Sequence, residues 1–298
     1  MDRARSRADR ARRRPDDPDG ERTSLGGAVT YVVIPWWRVG LAAALVLLSG
    51  ALSAALRLGM GRQLLIASAR TAVQLVLVGM VLQWVFARGH WLAVVGVLVP
   101  MTIIAGVSAV QRSPRRFPGD LAIAVGSVWA TGWIVSAFGV IAVVSPRPWY
   151  SAQYLVPITG LILGNSLTGI ALGLDRMTSE LVGTRAQVEA LLAMGATRWE
   201  AARGPLRRAI RAGMTPTVNS MLAAGIVSLP GTLTGQLLSG IAPVEAAKYQ
   251  IVIMFLIAAG TAFGTCAVVL LGFRRLFDEE HRFLHRRIYN RKTGPKPG

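Results

Sequence analysis

Few residues of this 298-residue chain could do chemistry, and most of them interrupt apolar runs. Arg70 and Gln74 lie four apart, which would place both on one helical face. Asn165, Asn219 and Gln236 each interrupt a later apolar stretch. Polar groups are costly in lipid, so these five are candidates for a translocation path, the last three alternatively for interhelical hydrogen bonds worth ~1 kcal/mol each. Arg70 has two further options, snorkelling to the headgroups or pairing with a carboxylate such as Asp175. Glu245, in a short connection, could meet an exiting cation or simply be solvated.

Other chemistries are excluded. A hard metal wants carboxylate or imidazole ligands, and the apolar runs hold no cluster of them. His281 and His285 stand four apart on what reads as a helical tail, with no third ligand near, so no metal site is identifiable. Cys266 is the single cysteine, so neither a disulfide framework nor a thiolate cluster can form. The chain has three lysines, none after a glycine, and so lacks a P-loop. Zinc-protease and serine-hydrolase motifs are also absent.

The elements that must position these residues are apolar helices. Hydrophobic residues make up 52% of the chain and charged ones 16%. Nearly charge-free stretches at about 39–56, 64–86, 91–110, 121–144, 154–174, 217–240 and 249–273 approach or exceed the ~20 residues a membrane helix needs. They predict an all-α, polytopic transmembrane helix bundle of about seven spans with the lipid bilayer as partner. Trp36 and Trp37 would anchor the first span at the interface. Gly160, Gly164, Gly169 and Gly173 would let the fifth approach its neighbours closely. Pro230-Gly231 predicts a kinked or broken sixth span, tolerated only against protein or a cavity.

The net charge of +18 is not the mark of a nucleic-acid binder, because basic residues concentrate in alternate connections and the tails. Seven arginines fall between spans five and six, and eight Lys and Arg follow span seven. The connections bearing Arg88, Arg147 and Lys248 hold one basic residue each. The segment 175–214 and the C-terminus are therefore expected to be cytoplasmic in a cell inner-membrane, multi-pass protein. Seven spans would leave the N-terminus outside, against its eight arginines. A false start, or a re-entrant sixth span, would remove that conflict. The expected divisions are a disordered extension at 1–38, a membrane domain at 39–273 and a basic tail at 274–298.

The segment 175–214 is the only long polar stretch between two apolar ones, and its pattern is helical. Met177, Leu181, Thr184, Val188, Leu191 and Gly195 recur at three- and four-residue steps, on one helical face. Gly195 stands where a left-handed cap would end that helix. Thr197 and Glu200 then form a capping box for a second helix, expected to break at Gly204-Pro205. On this pattern alone the segment is either a docking hairpin or an amphipathic surface helix.

Resemblance favours docking. Glu189-Ala190 followed by Gly195 resembles the loop by which ABC-transporter permeases hold their ATPase. Three runs, GNSLTGIALGLDRM at 164–177, EALLAMGA at 189–196 and PTVNSMLAAGIVSLPGTLTGQLLSG at 216–240, together resemble the FetB-like iron-export permease family over about 39–288. The Arg70-Thr71…Gln74-Leu75 run also looks like a motif of that family. The resemblance implies a non-enzymatic exporter subunit that protects against metal or oxidative stress. It further implies a homodimer and a separate ABC ATPase that binds ATP and magnesium, this chain binding no cofactor. Glu189, Ala190, Gly195, Ala196, Thr197 and Glu200 would carry docking. Similar plant proteins suggest nucleotide sugars as a second substrate class. An ion-coupled carrier, the rival reading, should place acidic residues in its spans, and these spans have none.

Overall fold

The computed structural model describes residues 34–290, so the expected extension lies outside it except for its last residues. Trp36–Arg38 already belong to α1 (Trp36–Ala55), which opens directly after Pro35. Next come α2 (Gly61–Arg88), ended by Gly89 in left-handed backbone, and α3 (Trp91–Arg112), capped by the His90 imidazole. Helix α4 (Asp120–Phe138) winds on as a π turn over Gly139–Val144. The remaining helices are α5 (Ala152–Gly183), α6 (Arg185–Ala193), α7 (Arg198–Ala223), α8 (Gly231–Leu238) and α9 (Pro243–Leu276). Two short strands, β1 (Arg115–Arg116) and β2 (Tyr289–Asn290), pair antiparallel and tie the tail to the α3–α4 connection.

Six helices, α1 to α5 and α9, are long and apolar enough to cross a membrane. The seventh expected span is divided. Its first part is the end of α7, its last part is α8, and residues 224–230 between them are not helical. Pro230 caps α8 in extended backbone, so the break lies ahead of the proline, which restarts a helix here rather than kinking one.

The core is shared by α3, α4, α5, α7 and α9, with Ile170, Met177, Leu181, Leu206, Val268 and Leu276 among its buried members. Small residues permit this packing in the absence of a hydrophobic drive between helices in lipid. Gly169 and Gly173 of α5 stand against Thr261, Thr265 and Val269 of α9, whereas Gly164 meets nothing. Helices α1 and α2 pair with each other, and the pair meets the remaining bundle mainly around Val85.

Candidate functional site

The site is built in three parts: a hairpin at the basic end of the bundle, a strap across it, and a cavity at the far end of α7. Helix α5 does not stop with its apolar run but continues to Gly183, and after Thr184 the chain turns into α6. The expected helical row is buried at Met177, Leu181 and Val188. Gly195 has φ +88°, and the amides of Gly195 and Ala196 donate to the carbonyls of Leu192 and Leu191, each at 3.0 Å. Those bonds occupy the carbonyls that end α6.

The capping box forms as the spacing predicts. The Glu200 amide donates to the Thr197 hydroxyl at 3.3 Å, and the Thr197 amide donates to Glu200 Oε2 at 2.8 Å. The backbone amide and then the hydroxyl of Thr197 hold the Glu200 carboxyl below its ordinary pKa. Ala190, Gly195, Thr197 and Glu200 are exposed, with Ala196 half-buried. Met194 and Trp199, 75% and 47% exposed, flank the turn and give it an apolar knuckle that sequence reasoning missed. The expected break at Gly204-Pro205 does not occur. Helix α7 runs through both Pro205 and Pro216, because burial of Ala201, Ala202, Pro205, Leu206 and Ala209 holds it together across the missing hydrogen bond.

Residues 277–290 strap the hairpin, and they do not form the helix expected for the tail. An isolated bridge joins Phe277 to Phe283, and His285–Arg287 is a single 3₁₀ turn. His281 Nδ1 accepts from the Arg198 amide at 3.2 Å, and the Arg198 guanidinium donates to the Asp278 carbonyl at 2.9 Å. Phe273, Phe277 and Phe283 stack in series, with Trp199 edge-on to Phe273. Burial pushes the Asp278 carboxyl up, but bonds from the Arg282 amide and guanidinium outweigh it and leave the pKa lowered. Glu189 is already held, by Arg185 Nε at 2.7 Å, with His285 Nδ1 at 3.8 Å. The two histidines thus sit at the surface of the strap, each beside a residue of the hairpin.

The far end of α7 faces a polar cavity. A space of about 750 Å³ is lined by Asn165, Thr217, Asn219, Ser220, Thr232 and Gln250, with apolar residues of α5 and α9. A second space of about 640 Å³ adjoins it through Leu161, Thr232 and Ile253, and holds Gln153, Tyr154, Gln236, Glu245 and Tyr249. Asn165 donates to the Leu161 carbonyl at 2.8 Å, Glu245 pairs with Lys248 at 2.7 Å, and Thr232 donates to Gln250. Gln236 Oε1 is buried without a partner among the described residues. Thus Asn165 and Asn219 share one space and Gln236 lines the one adjoining it, but Arg70 and Gln74 are not brought to them. Both are exposed on α2 and line neither space, and no Arg70–Asp175 ion pair forms among the described residues. Thr232 and Gln250 were missed because isolated Ser, Thr and Gln in apolar helices are ordinary packing residues.

A family model described as "Uncharacterised protein family (UPF0014)" matches residues 36–277. The chain belongs to this family. The UPF0014 match begins with α1 and ends one residue past α9, so it spans all the helices from α1 to α9. A UPF0014 membrane protein of Synechocystis is 39% identical over 74% of this chain and 86% of its own. The UPF0014 membrane protein STAR2 of rice is 32% identical, covering 72% and 73%. The probable iron export permease protein FetB of Escherichia coli is 26% identical, covering 83% and 93%. No solved structure matches the chain. With six apolar spans and relatives named as membrane proteins, this UPF0014 chain is a multi-pass membrane protein.

Proposed function

We propose that this chain is the membrane-spanning subunit of an ATP-driven ABC exporter, working as a homodimer, with a separate ATPase docked on the hairpin at 176–204. The observation that carries the reading is the continuity of α7. It starts at the capped turn beside Gly195 and ends, 26 residues later, on the polar cavity. A push on the exposed knuckle of Met194 and Trp199 reaches Asn219 through one helix. ATP and magnesium sit on the ATPase, whose closure moves the bundle between two states. The hairpin faces the cytoplasm, where the arginines concentrate. Iron is the proposed cargo, a choice supported by the name of the Escherichia coli relative.

Docking is tested by co-purification with the cognate ATPase and by stimulation of its ATP hydrolysis. Gly195→Val places a β-branched residue in left-handed backbone, which costs roughly 1 kcal/mol or more. The variant should insert normally and lose both signals. Wild-type coupling in Gly195→Val would remove the hairpin from the mechanism.

A further inference from the structure

Helix α7 has an exposed side that the hairpin does not use. Arg203, Arg207 and Arg211 follow at four-residue steps, so their guanidiniums form one row. All three are exposed, and none makes a side-chain ion pair or hydrogen bond among the described residues. The adjacent Arg208 differs, because Glu180 of α5 holds it at 2.7 Å. A charge row is ordinarily a solvated face, and retention of arginine on one side of a membrane would account for its sign. It would not account for where the row leads.

The same four-residue step continues through Thr215 to Asn219, and Asn219 also lines the polar cavity. A hollow of about 600 Å³ runs along this face from Trp199 to Asn219, its wall mostly apolar and including Leu206, Ile210, Met214 and Val218 beside the arginines. That distance is roughly 30 Å of helix. Gly213 packs on Gly169, within the apolar part of α5, so Arg211 stands at the edge of the apolar zone. Three unpaired guanidiniums along this hollow repel a bare metal cation and offer two-pronged bonds to carboxylate or phosphate. The cavity beyond supplies neutral amides and hydroxyls. Among the described residues no group of three or more His, Cys, Asp or Glu could strip and hold a metal ion.

We infer that Arg203, Arg207 and Arg211 form an anion-selecting lead-in to the cavity, and that the transported solute carries phosphate or carboxylate groups. This rests on the proposed transport role. A metal ion passes this row only inside an anionic chelate. A lipid headgroup phosphate shares the recognised chemistry, so the test must separate the two sources.

Full-length protein in phosphatidylcholine nanodiscs is dialysed against labelled inorganic pyrophosphate, citrate, or ferrous iron without chelator. Saturable binding of pyrophosphate or citrate is expected, with none of bare iron. Arg207→Gln should weaken it about tenfold or more. The triple variant R203Q/R207Q/R211Q should abolish it. Removing the same charge elsewhere, in R57Q/R62Q/R88Q, should leave wild-type affinity. Equal binding by the triple variant, no saturable binding of either anion, or binding of bare iron would each overturn the inference. So would anionic lipid that co-purifies with wild-type protein but not the triple variant, if delipidated wild type binds neither anion. The triple variant should still co-purify with the ATPase, so failure here leaves the docking reading standing.

Discussion

Gly169 and Gly213 press α5 and α7 so closely together that a Cβ built on Gly213 would stand 2.6 Å from the Gly169 carbonyl oxygen. The same Cβ would stand 2.6 Å from the Thr265 methyl of α9, so three helices share one contact. Backbone cannot yield as a flexible side chain does. Gly213→Val is therefore expected to cost about 1–3 kcal/mol, the usual range for overpacking. The measurement is thermal unfolding of detergent-solubilised protein. A midpoint equal to wild type would show that the three helices do not approach this closely in the solubilised protein.

The capping box gives a second expectation. Thr197→Ala leaves the Glu200 amide without its acceptor and should cost about 0.5–2 kcal/mol, mainly by fraying the first turn of α7. Hydrogen exchange at residues 198–200 should speed up, while exchange deep in α9 stays as it was. Uniform acceleration along the chain would mean the cap supports the bundle and not just the hairpin.

Acid should loosen the same region. The Glu200 and Asp278 carboxyls have lowered pKa values in the folded chain. A depressed carboxyl stabilises the fold above its unfolded pKa, and that contribution is lost as pH falls through the lower folded value. The ordinary values are 4.5 and 3.8, so the hairpin and strap should hold at neutral pH. They should open only below that range. Exchange of the Thr197 and Arg282 amides, followed down in pH, reads this out. Opening already at pH 6 would show that these two carboxyls are not what holds the hairpin and strap.

Within the cavity, Thr232→Val removes the hydroxyl that Gln250 accepts, joining α8 to α9. Gln250 is buried, and leaving it without a partner costs about 1–3 kcal/mol. Transport in reconstituted vesicles should fall while co-purification with the ATPase is unchanged. Loss of both together would mean that α8 supports the whole bundle and is not a local wall.

What could be read from the sequence was what local chemistry decides. Gly195, Thr197 and Glu200 declare a turn and a cap within six residues, and the helical row from Met177 to Val188 declares its buried face. The strap could not be read, because Arg198 meets His281 across 83 positions of sequence. Pro205 misled for a related reason: tertiary burial outweighs a local helix breaker. Arg70 could not be placed from the sequence, because an arginine in an apolar run reads the same whether it faces a cavity or, as here, an outer helix face. Pro230 was correctly suspect, but only the structure shows the helix ending seven residues earlier.

The sparse seam around Val85 has a consequence for how the chain is made. Helices α1 and α2 are the first described helices to leave the ribosome, and almost none of their surface is buried by the later helices. They can settle in lipid as a finished pair before α3 exists, and the rest of the bundle can close its core without them. A nick at Gly89, where the left-handed turn separates α2 from α3, should leave two fragments that each insert. Synthesis is thus expected to proceed in two instalments, the first complete before the larger core is begun.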